Sequence, residues 1–253
     1  MPLLALLTDW FLTATWPIVG QWAMVYFDPA SYTLLSLSTG FLTILPFLII
    51  GGRLKRIFEP GLRGRLFVMG MFGSGITSIL FLYAVKHTTA ANAAIVCQIE
   101  VVYSAILAAW VLRERITPTQ GAASLLVVAG TGLILGRDLG TPHWKGDLVI
   151  FFTPWMFQVS HILSKRLPKD VDYVVIAGAR MFYGALTILP AVIWLWATGH
   201  GHAVFTPASL GILGFQAVFL GSLNLPLWYV AIRNLEWAKT TAVMLSYPAL
   251  TLV

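Results

Sequence analysis

The chain has 253 residues, of which 58% are hydrophobic and only 10% are charged, and its formal net charge is +6. Its mean hydropathy is +0.82, whereas a soluble domain usually carries about 25% charged residues. A soluble enzyme, a disordered chain and a collagen-like chain are therefore excluded. The basic residues lie in short segments between apolar runs, which argues against nucleic acid as a partner. The single cysteine, Cys97, excludes an internal disulfide and a cysteine-based metal site.

Nine apolar runs follow one another along the chain. Each is a candidate transmembrane helix, because about 20 apolar residues cross a bilayer. The runs are apolar on all sides, whereas the strands of a membrane β-barrel alternate between polar and apolar residues. We therefore predict an all-α polytopic membrane protein, surrounded by the lipid bilayer. In chain order, the runs cover residues 3–27, 30–52, 66–85, 90–112, 121–136, 147–164, 173–197, 208–232 and 238–253.

The basic residues also predict an orientation. If the N-terminus is cytoplasmic, twelve of the sixteen Lys and Arg residues lie in inside loops, three lie outside and one lies within a span. Cytoplasmic loops carry this excess of positive charge. No Lys or Arg precedes the first run, which argues against a signal peptide. We expect a multi-pass protein of the bacterial inner membrane with a cytoplasmic N-terminus.

Two parts of the chain resemble each other. The segment Gly40–Pro46 matches Gly184–Pro190 at six of seven positions, with an offset of 144 residues. The segment Ala84–His87 resembles Ala231–Asn234 at a similar offset of 147. A unit of five spans is odd, so its second copy enters the membrane from the opposite side. The pattern predicts an inverted repeat, with the substrate site near the bilayer midplane between the halves.

The predicted halves are residues 1–140, with five helices, and residues 141–253, with four. A complete inverted repeat has five helices in each half, so a tenth helix is expected in the natural protein. A protein with nine helices is the alternative.

The residues around the fourth and fifth spans resemble a known family. The run Gln98–Tyr103 leads to Leu112–Gly121 and then to a span rich in Gly and Ala. This order is similar to the repeat signature of the drug/metabolite transporter superfamily, EamA type. Arg180 resembles the arginine that is frequent in the second helix of a repeat, and Tyr247 with Pro248 resembles the mid-helix proline region of the other copy.

The resemblance implies ten helices, two cytoplasmic termini, and export or exchange of small metabolites by alternating access. It implies no ATP and no other cofactor. The chain departs from the family where Val101 replaces a frequent proline and where Ser36 or Leu37 replaces a frequent arginine.

Glu100 is the leading candidate for function, because it lies near the middle of the fourth span. A carboxylate at that depth costs several kcal/mol unless it is paired, protonated or hydrated. On a helical wheel, Asn92, Glu100 and Tyr103 form one semi-polar stripe. We expect this stripe to line a substrate cavity, in which Glu100 binds a substrate amine or carries a coupling proton. A structural hydrogen-bonding role is the alternative.

Further candidates for the cavity wall come from other spans. Trp16 and Trp155 lie in the middle of related spans at an offset of 139, away from the headgroup region that tryptophan prefers. Such rings stack on apolar, aromatic or cationic substrates, although simple helix packing explains them equally well. Asn224 accompanies a proline in the eighth span, and Tyr247 aligns next to Glu100 in the repeat.

Asp9 and Arg180 are candidates for an inner gate. Both residues lie roughly 10 Å below the predicted inner surface, so a salt bridge can join the two halves there. His161 lies near the same end of the sixth span. A static ion pair, or side chains that reach separately to the interface, is the alternative.

The first functional hypothesis is a secondary transporter for amino acids or related zwitterions and amines, as a monomer or homodimer. Protons as the coupling ion, the direction of transport and the substrate itself stay open. An intramembrane enzyme that uses Asp9, Glu100 and His161 is an alternative, although their spacing matches no known catalytic motif. A membrane subunit without transport activity is the third hypothesis.

Overall fold

A computed structural model describes the chain except residues 1, 113–116, 236–239, 241–242, 245 and 252–253, and the side chains of residues 108, 112 and 120. The described part contains helices and turns, and its only β-type contact is an isolated bridge between Phe27 and Ala203. Seven of its helices are long and apolar enough to cross a membrane. The helices are α1 Pro2–Ala23, α2 Pro29–Ile50, α3 Arg63–His87, α4 Ala90–Val111, α5 Pro118–Asp138, α6 Trp144–Phe152, α7 Pro154–Lys165, α8 Tyr173–Ala197, α9 Pro207–Asn234 and α10 Pro248–Thr251.

Two of the nine predicted spans differ from the other seven. The sixth consists of α6 and α7, which are interrupted at Thr153. Pro154 explains the break, because proline lacks an N–H group and fits the first turn of a new helix. The ninth span is described only in part. The family-like turn at residues 113–116 lies outside the described residues.

The outer surface of the bundle is apolar. Large side chains such as Leu42, Phe47, Leu125, Leu133 and Trp194 are more than half exposed. A water-soluble protein does not tolerate so many exposed apolar groups. These side chains face lipid, and the fold is that of a multi-pass helical membrane protein.

Arginine residues from separate loops converge on the segment 166–172 between α7 and α8. Arg53, after α2, forms a salt bridge to Asp172 with an N–O distance of 2.9 Å. Arg233, at the end of α9, donates to the carbonyl oxygen of Val171 at 2.6 Å. These contacts place the basic loops on one side of the bundle, which we call the basic face. It carries Arg53, Arg56, Arg65, Arg166 and Arg233.

Aspartate residues 144 positions apart cap α2 and α8. Asp28 caps α2, and its Oδ2 accepts a hydrogen bond at 2.9 Å from the backbone N–H of His202, in the loop after α8. Asp172 caps α8 and pairs with Arg53, in the loop after α2. Each cap therefore contacts the loop that follows the other helix, and the two contacts lie at opposite ends of the bundle. This arrangement is what an inverted repeat requires, although the division near residue 140 stays a prediction.

Glycine residues 144 positions apart occupy the corresponding helix crossings. Gly184 of α8 packs on α3 where the π-helical segment Met71–Gly75 begins, and a Cβ on Gly184 would lie 3.1 Å from the carbonyl oxygen of Gly70. Gly40 of α2 packs on the π-helical segment Gln216–Leu223 of α9. There, Ser222 Oγ donates to the carbonyl oxygen of Gly40 at 2.9 Å. A π-helical segment frees carbonyl groups from the helix ladder, and such segments are frequent at functional sites.

Candidate functional site

Two adjoining cavities lie inside the bundle. The first has a volume of ≈ 150 Å³ and is lined by the carboxyl groups of Asp9 and Glu100, so we call it the acid cavity. The second has a volume of ≈ 140 Å³ and is lined by Ser36, Ser74 and Ser78, so we call it the serine cavity. The two cavities share the lining residues Thr13, Trp16, Phe157, Arg180, Asn224 and Leu225.

The wall from α1 is formed by Asp9, Thr13 and Trp16, which lie on one face of a helix because they are four and three residues apart. Asp9 is 1% exposed, and its Oδ2 has no hydrogen-bond partner in the described part of the chain. The ring of Trp16 stacks on Phe81 with a centroid distance of 3.9 Å and meets Phe157 edge-on at 5.7 Å. The indole is thus held as a fixed wall between the two cavities.

The wall from α4 presents Glu100 to the acid cavity. A 3₁₀ turn at Cys97–Ile99 interrupts this helix, and Glu100 begins the next α-helical part. Glu100 shares the cavity with Asp9, so two carboxyl groups lie in one volume inside the membrane bundle. Protons or a cationic group are needed to balance them there.

The walls from α7 and α9 add polar groups with unused hydrogen-bonding capacity. The His161 ring meets the Trp228 ring edge-on at a centroid distance of 5.0 Å. Asn224 Nδ2 donates to Thr13 Oγ1 at 3.1 Å. His161 Nδ1, Trp228 Nε1 and Asn224 Oδ1 have no hydrogen-bond partner within the described residues. Buried polar atoms are nearly always paired, so together with Asp9 Oδ2 they make this cavity suited to a polar occupant.

Arg180 of α8 lies between the two cavities and is 4% exposed. Its Nε donates to Ser74 Oγ at 3.1 Å, and its Nη1 donates to Tyr229 Oη at 2.8 Å. Its Nη2 donates to the carbonyl oxygen of Gly73, in the π-helical segment of α3. Gly73 makes room for this contact, because a Cβ there would lie 2.8 Å from Nη2.

Most of the sequence-predicted residues come together. Trp16, Glu100, Asn224 and Tyr247 line the acid cavity, and the proposed gate residues line it as well, namely Asp9, His161 and Arg180. Asp9 and Arg180 do not form a salt bridge here, since the guanidinium donates to neutral groups. The assignment of the gate stays a prediction.

The other three predicted residues lie elsewhere. Asn92 Nδ2 donates to Asp138 Oδ2 at 2.6 Å, and Tyr103 Oη donates to the carbonyl oxygen of Phe151 at 2.9 Å. The 3₁₀ turn between Asn92 and Glu100 rotates the two halves of α4 by about 60° relative to a continuous α-helix, which separates them. Trp155 is 36% exposed. It follows the Pro154 break, and Phe157 occupies the cavity wall in its place.

Sequence reasoning missed Thr13, Phe157 and Trp228, which also line the acid cavity. Helical spacing contains the signal for each of them. Thr13 is four residues after Asp9, Phe157 is four before His161, and Trp228 is four after Asn224. Residues at this spacing share a helix face. Among the described residues, no group of three or more His, Cys, Asp or Glu side chains is arranged to hold a metal ion.

The chain is similar to a known protein family and to a known structure. The sequence model of the EamA-like transporter family matches residues 1–136. A protein of known crystal structure superposes with a TM-score of 0.72 at 19% identity, over 98% of this chain and 84% of that one. The likeness to that structure supports the fold.

Curated relatives are also transporters by name. An uncharacterised transporter of Methanothermobacter thermautotrophicus is 23% identical over 67% of this chain and 50% of its own length. A probable terminal-alkyne amino-acid exporter of Streptantibioticus cattleyicolor is 25% identical over 73% of this chain and 61% of its own length. The chain thus spans half to three fifths of the length of these two relatives.

Proposed function

The chain belongs to the EamA-like transporter family, and from this premise we propose that it is a secondary transporter that carries small organic solutes through the acid cavity. The proposed substrates are amino acids or related zwitterions and amines, moved by alternating access. The proposal rests on one observation: two carboxyl groups line one cavity within a membrane bundle, together with three further buried polar atoms that have no hydrogen-bond partner in the described chain.

The energetic argument favours a polar, amine-bearing substrate. Ionisable and unpaired polar groups are costly in a membrane protein and are usually functional when they occur there. An ammonium group offers three N–H donors, which suit Asp9 Oδ2, Asn224 Oδ1 and the carboxylate of Glu100. The similarity to a relative named as a probable amino-acid exporter supports the same class of solute.

The basic face supports an orientation for this transport. Loops rich in arginine stay on the cytoplasmic side, so we place the basic face and the N-terminus of α1 in the cytoplasm of a bacterial inner membrane. In this orientation the proposed activity is export, or exchange of one solute for another. Glu100 and Asp9 are the proposed sites for a coupling proton, since both line the volume that the substrate enters.

Counterflow in proteoliposomes tests the proposal. Vesicles loaded with unlabelled compound should take up the labelled compound when they contain the protein, for at least one member of a panel of neutral amino acids and their amines. Glu100→Gln should reduce this uptake at least tenfold. Glu59→Gln is the matched control, because Glu59 is a partly exposed residue near Arg56 on the basic face. Uptake equal to that of empty vesicles across the whole panel would overturn the proposed function.

A second measurement reports on the cavity without flux. Cys97 is the only cysteine, is 4% exposed, and lines the acid cavity. A transported compound should therefore slow its alkylation by N-ethylmaleimide at least threefold, while a panel member that is not transported should not. Recovery of the labelled compound unchanged, as judged by mass spectrometry, would separate transport from the enzymatic alternative.

A further inference from the structure

We infer, on the basis of the proposed transport function, that Arg180 binds the carboxylate of the substrate and determines its class. Substrates of this protein then carry an anionic group together with an amine, as α-amino acids do, which narrows the proposed substrate class to zwitterions and removes plain amines from it.

The first argument is the set of partners around the guanidinium. An arginine side chain has five N–H groups. In this structure three of them donate to Ser74 Oγ, Tyr229 Oη and the carbonyl oxygen of Gly73. One N–H group remains on each of Nη1 and Nη2, which are the two atoms that bind a carboxylate side by side.

The second argument is charge. The salt bridges among the described residues join Arg53 or Arg56 to acidic residues on the basic face, and none of them includes Arg180. The partners of Arg180 are all neutral, although the side chain is 4% exposed. Asp9 and Glu100 line the same cavity but do not pair with the guanidinium, and a buried charge without a direct partner is strongly destabilising. A substrate carboxylate supplies the counterion when it binds.

The third argument is the distribution of charge along the joined cavities. Arg180 lines both cavities, whereas Asp9 and Glu100 line the acid cavity and not the serine cavity. The positive charge thus lies at the junction, and the negative charges lie to one side of it. A zwitterion fits this order, with its carboxylate on Arg180, its ammonium group toward Asp9 and Glu100, and its side chain toward the serine cavity.

The neighbours of Arg180 show that its position is fixed by the fold. Tyr229 is fully buried, and the Arg180 Cζ lies 5.7 Å from the centroid of its ring. A guanidinium over an aromatic face is stabilised by the ring electrons. Tyr229 is thus a positioning residue: it orients the guanidinium and is not expected to contact the substrate.

The experiment compares matched compounds in wild-type proteoliposomes, so it does not depend on the folding of a variant. The pairs are L-leucine with 3-methylbutylamine and L-phenylalanine with 2-phenylethylamine, which differ only by the carboxylate, and each amino acid is also tested as its amide. We expect counterflow of the amino acid to exceed that of its amine and its amide at least tenfold. Equal or faster counterflow of the amines would overturn the role of Arg180 and leave the proposed transport function intact. Failure of every compound would instead overturn the proposed function.

Variants of Arg180 and Tyr229 then test whether the guanidinium causes the preference for compounds with a carboxylate. Arg180→Gln should abolish the preference for the carboxylate, and Arg180→Lys should retain the charge but weaken uptake of the amino acid at least threefold. Tyr229→Phe should raise KM for the amino acid severalfold without changing its kcat. Arg63→Gln, at an exposed arginine of α3, should change nothing. Wild-type selectivity retained in Arg180→Gln would overturn the inference, as would a uniform loss of uptake for acids and amines in Tyr229→Phe.

Discussion

Helices α2 and α8 are related by sequence and differ at one decisive position. Both begin with a capping aspartate that contacts the loop after the other helix, and both cross a π-helical segment at a glycine. At the position 144 residues before Arg180, however, α2 carries Ser36. The two helices thus agree at their ends and crossings and differ where they face the cavities.

The difference shows how a symmetric framework produces an asymmetric site. Arg180 occupies its crossing and joins α3 to α9 through hydrogen bonds to Ser74 and Tyr229. Ser36 is too short to do the same, and the space beside it forms part of the serine cavity. Arginine at both position 36 and position 180 would place two positive charges in the membrane interior. With arginine at position 180 alone, the proposed site binds an anionic group at one end.

The largest effect is expected when the asymmetry is removed. Ser36→Arg would place a second guanidinium beside the serine cavity, with no carboxylate among the residues lining it. A buried unpaired charge of this kind costs several kcal/mol, and the side chain would fill the cavity. We expect counterflow to fall to the level of empty vesicles, while Ser36→Ala keeps at least half of it. Normal transport by Ser36→Arg would contradict the assignment of this cavity.

The next largest effect is a loss of stability at one of two helix crossings, that of α3 with α8 at Gly70 and Gly184 and that of α2 with α9 at Gly40. A Cβ on Gly70 would lie 2.8 Å from the backbone nitrogen of Gly184, whereas a Cβ on Gly40 would meet the flexible sulfur of Met181 at 3.1 Å. Gly70→Ala should therefore lower the free energy of unfolding by about 2 to 3 kcal/mol, and Gly40→Ala by less than about 1 kcal/mol.

Cys97 provides the measurement for this pair. It is buried and is the only cysteine, so a thiol-reactive dye reports thermal unfolding in detergent micelles. If Gly40→Ala were as destabilising as Gly70→Ala, the contrast between the two crossings would be refuted.

Replacing the two capping aspartates, Asp28 and Asp172, by alanine should cause stability losses that differ by a smaller amount. Asp28 is 8% exposed and accepts hydrogen bonds from the backbone N–H groups of Ala30, Ser31 and His202. Asp28→Ala should cost about 2 kcal/mol. The side chain of Asp172 is 33% exposed, and its replacement by Ala should cost about 1 kcal/mol or less. The same dye assay measures the loss of stability in both variants. A larger loss for Asp172→Ala than for Asp28→Ala would contradict the difference in burial and hydrogen bonding between the two caps.

The smallest effect is a response to salt. The Arg53–Asp172 pair is partly exposed, and the screening length falls from about 10 Å at 0.1 M salt to about 3 Å at 1 M. The stability difference between wild type and Asp172→Ala should shrink by a few tenths of a kcal/mol over this range. The difference for Asp28→Ala, which depends on buried hydrogen bonds, should stay constant.

The helices and much of the cavity follow from sequence patterns, for identifiable reasons. Apolar length predicts α1, α2 and α8 within a few residues, and the cost of a carboxylate in a membrane directs attention to Glu100 and Asp9. The family resemblance was confirmed by the match to residues 1–136.

The rest depends on local breaks in helical geometry, and among these only the break before Pro154 has a signal in the sequence. The 3₁₀ turn at Cys97–Ile99 rotates Asn92 away from Glu100, and the break before Pro154 turns Trp155 outward. The partners of Arg180 also depend on a π-helical segment in α3 that exposes the carbonyl of Gly73. No periodicity in the sequence marks that segment.

The convergence of arginine residues on the segment 166–172 has a consequence for biogenesis. Arg56 leaves the ribosome 114 residues before its partner Asp170. During translation the first two spans therefore precede the acidic residues Asp170 and Asp172, which pair with Arg56 and Arg53. Their positive charge is then available to the insertion machinery as a signal for orientation. Arg53 and Arg56 pair with Asp172 and Asp170 once that later segment has been made. The same two side chains that add positive charge to an early loop thus also join the loop after α2 to the loop before α8.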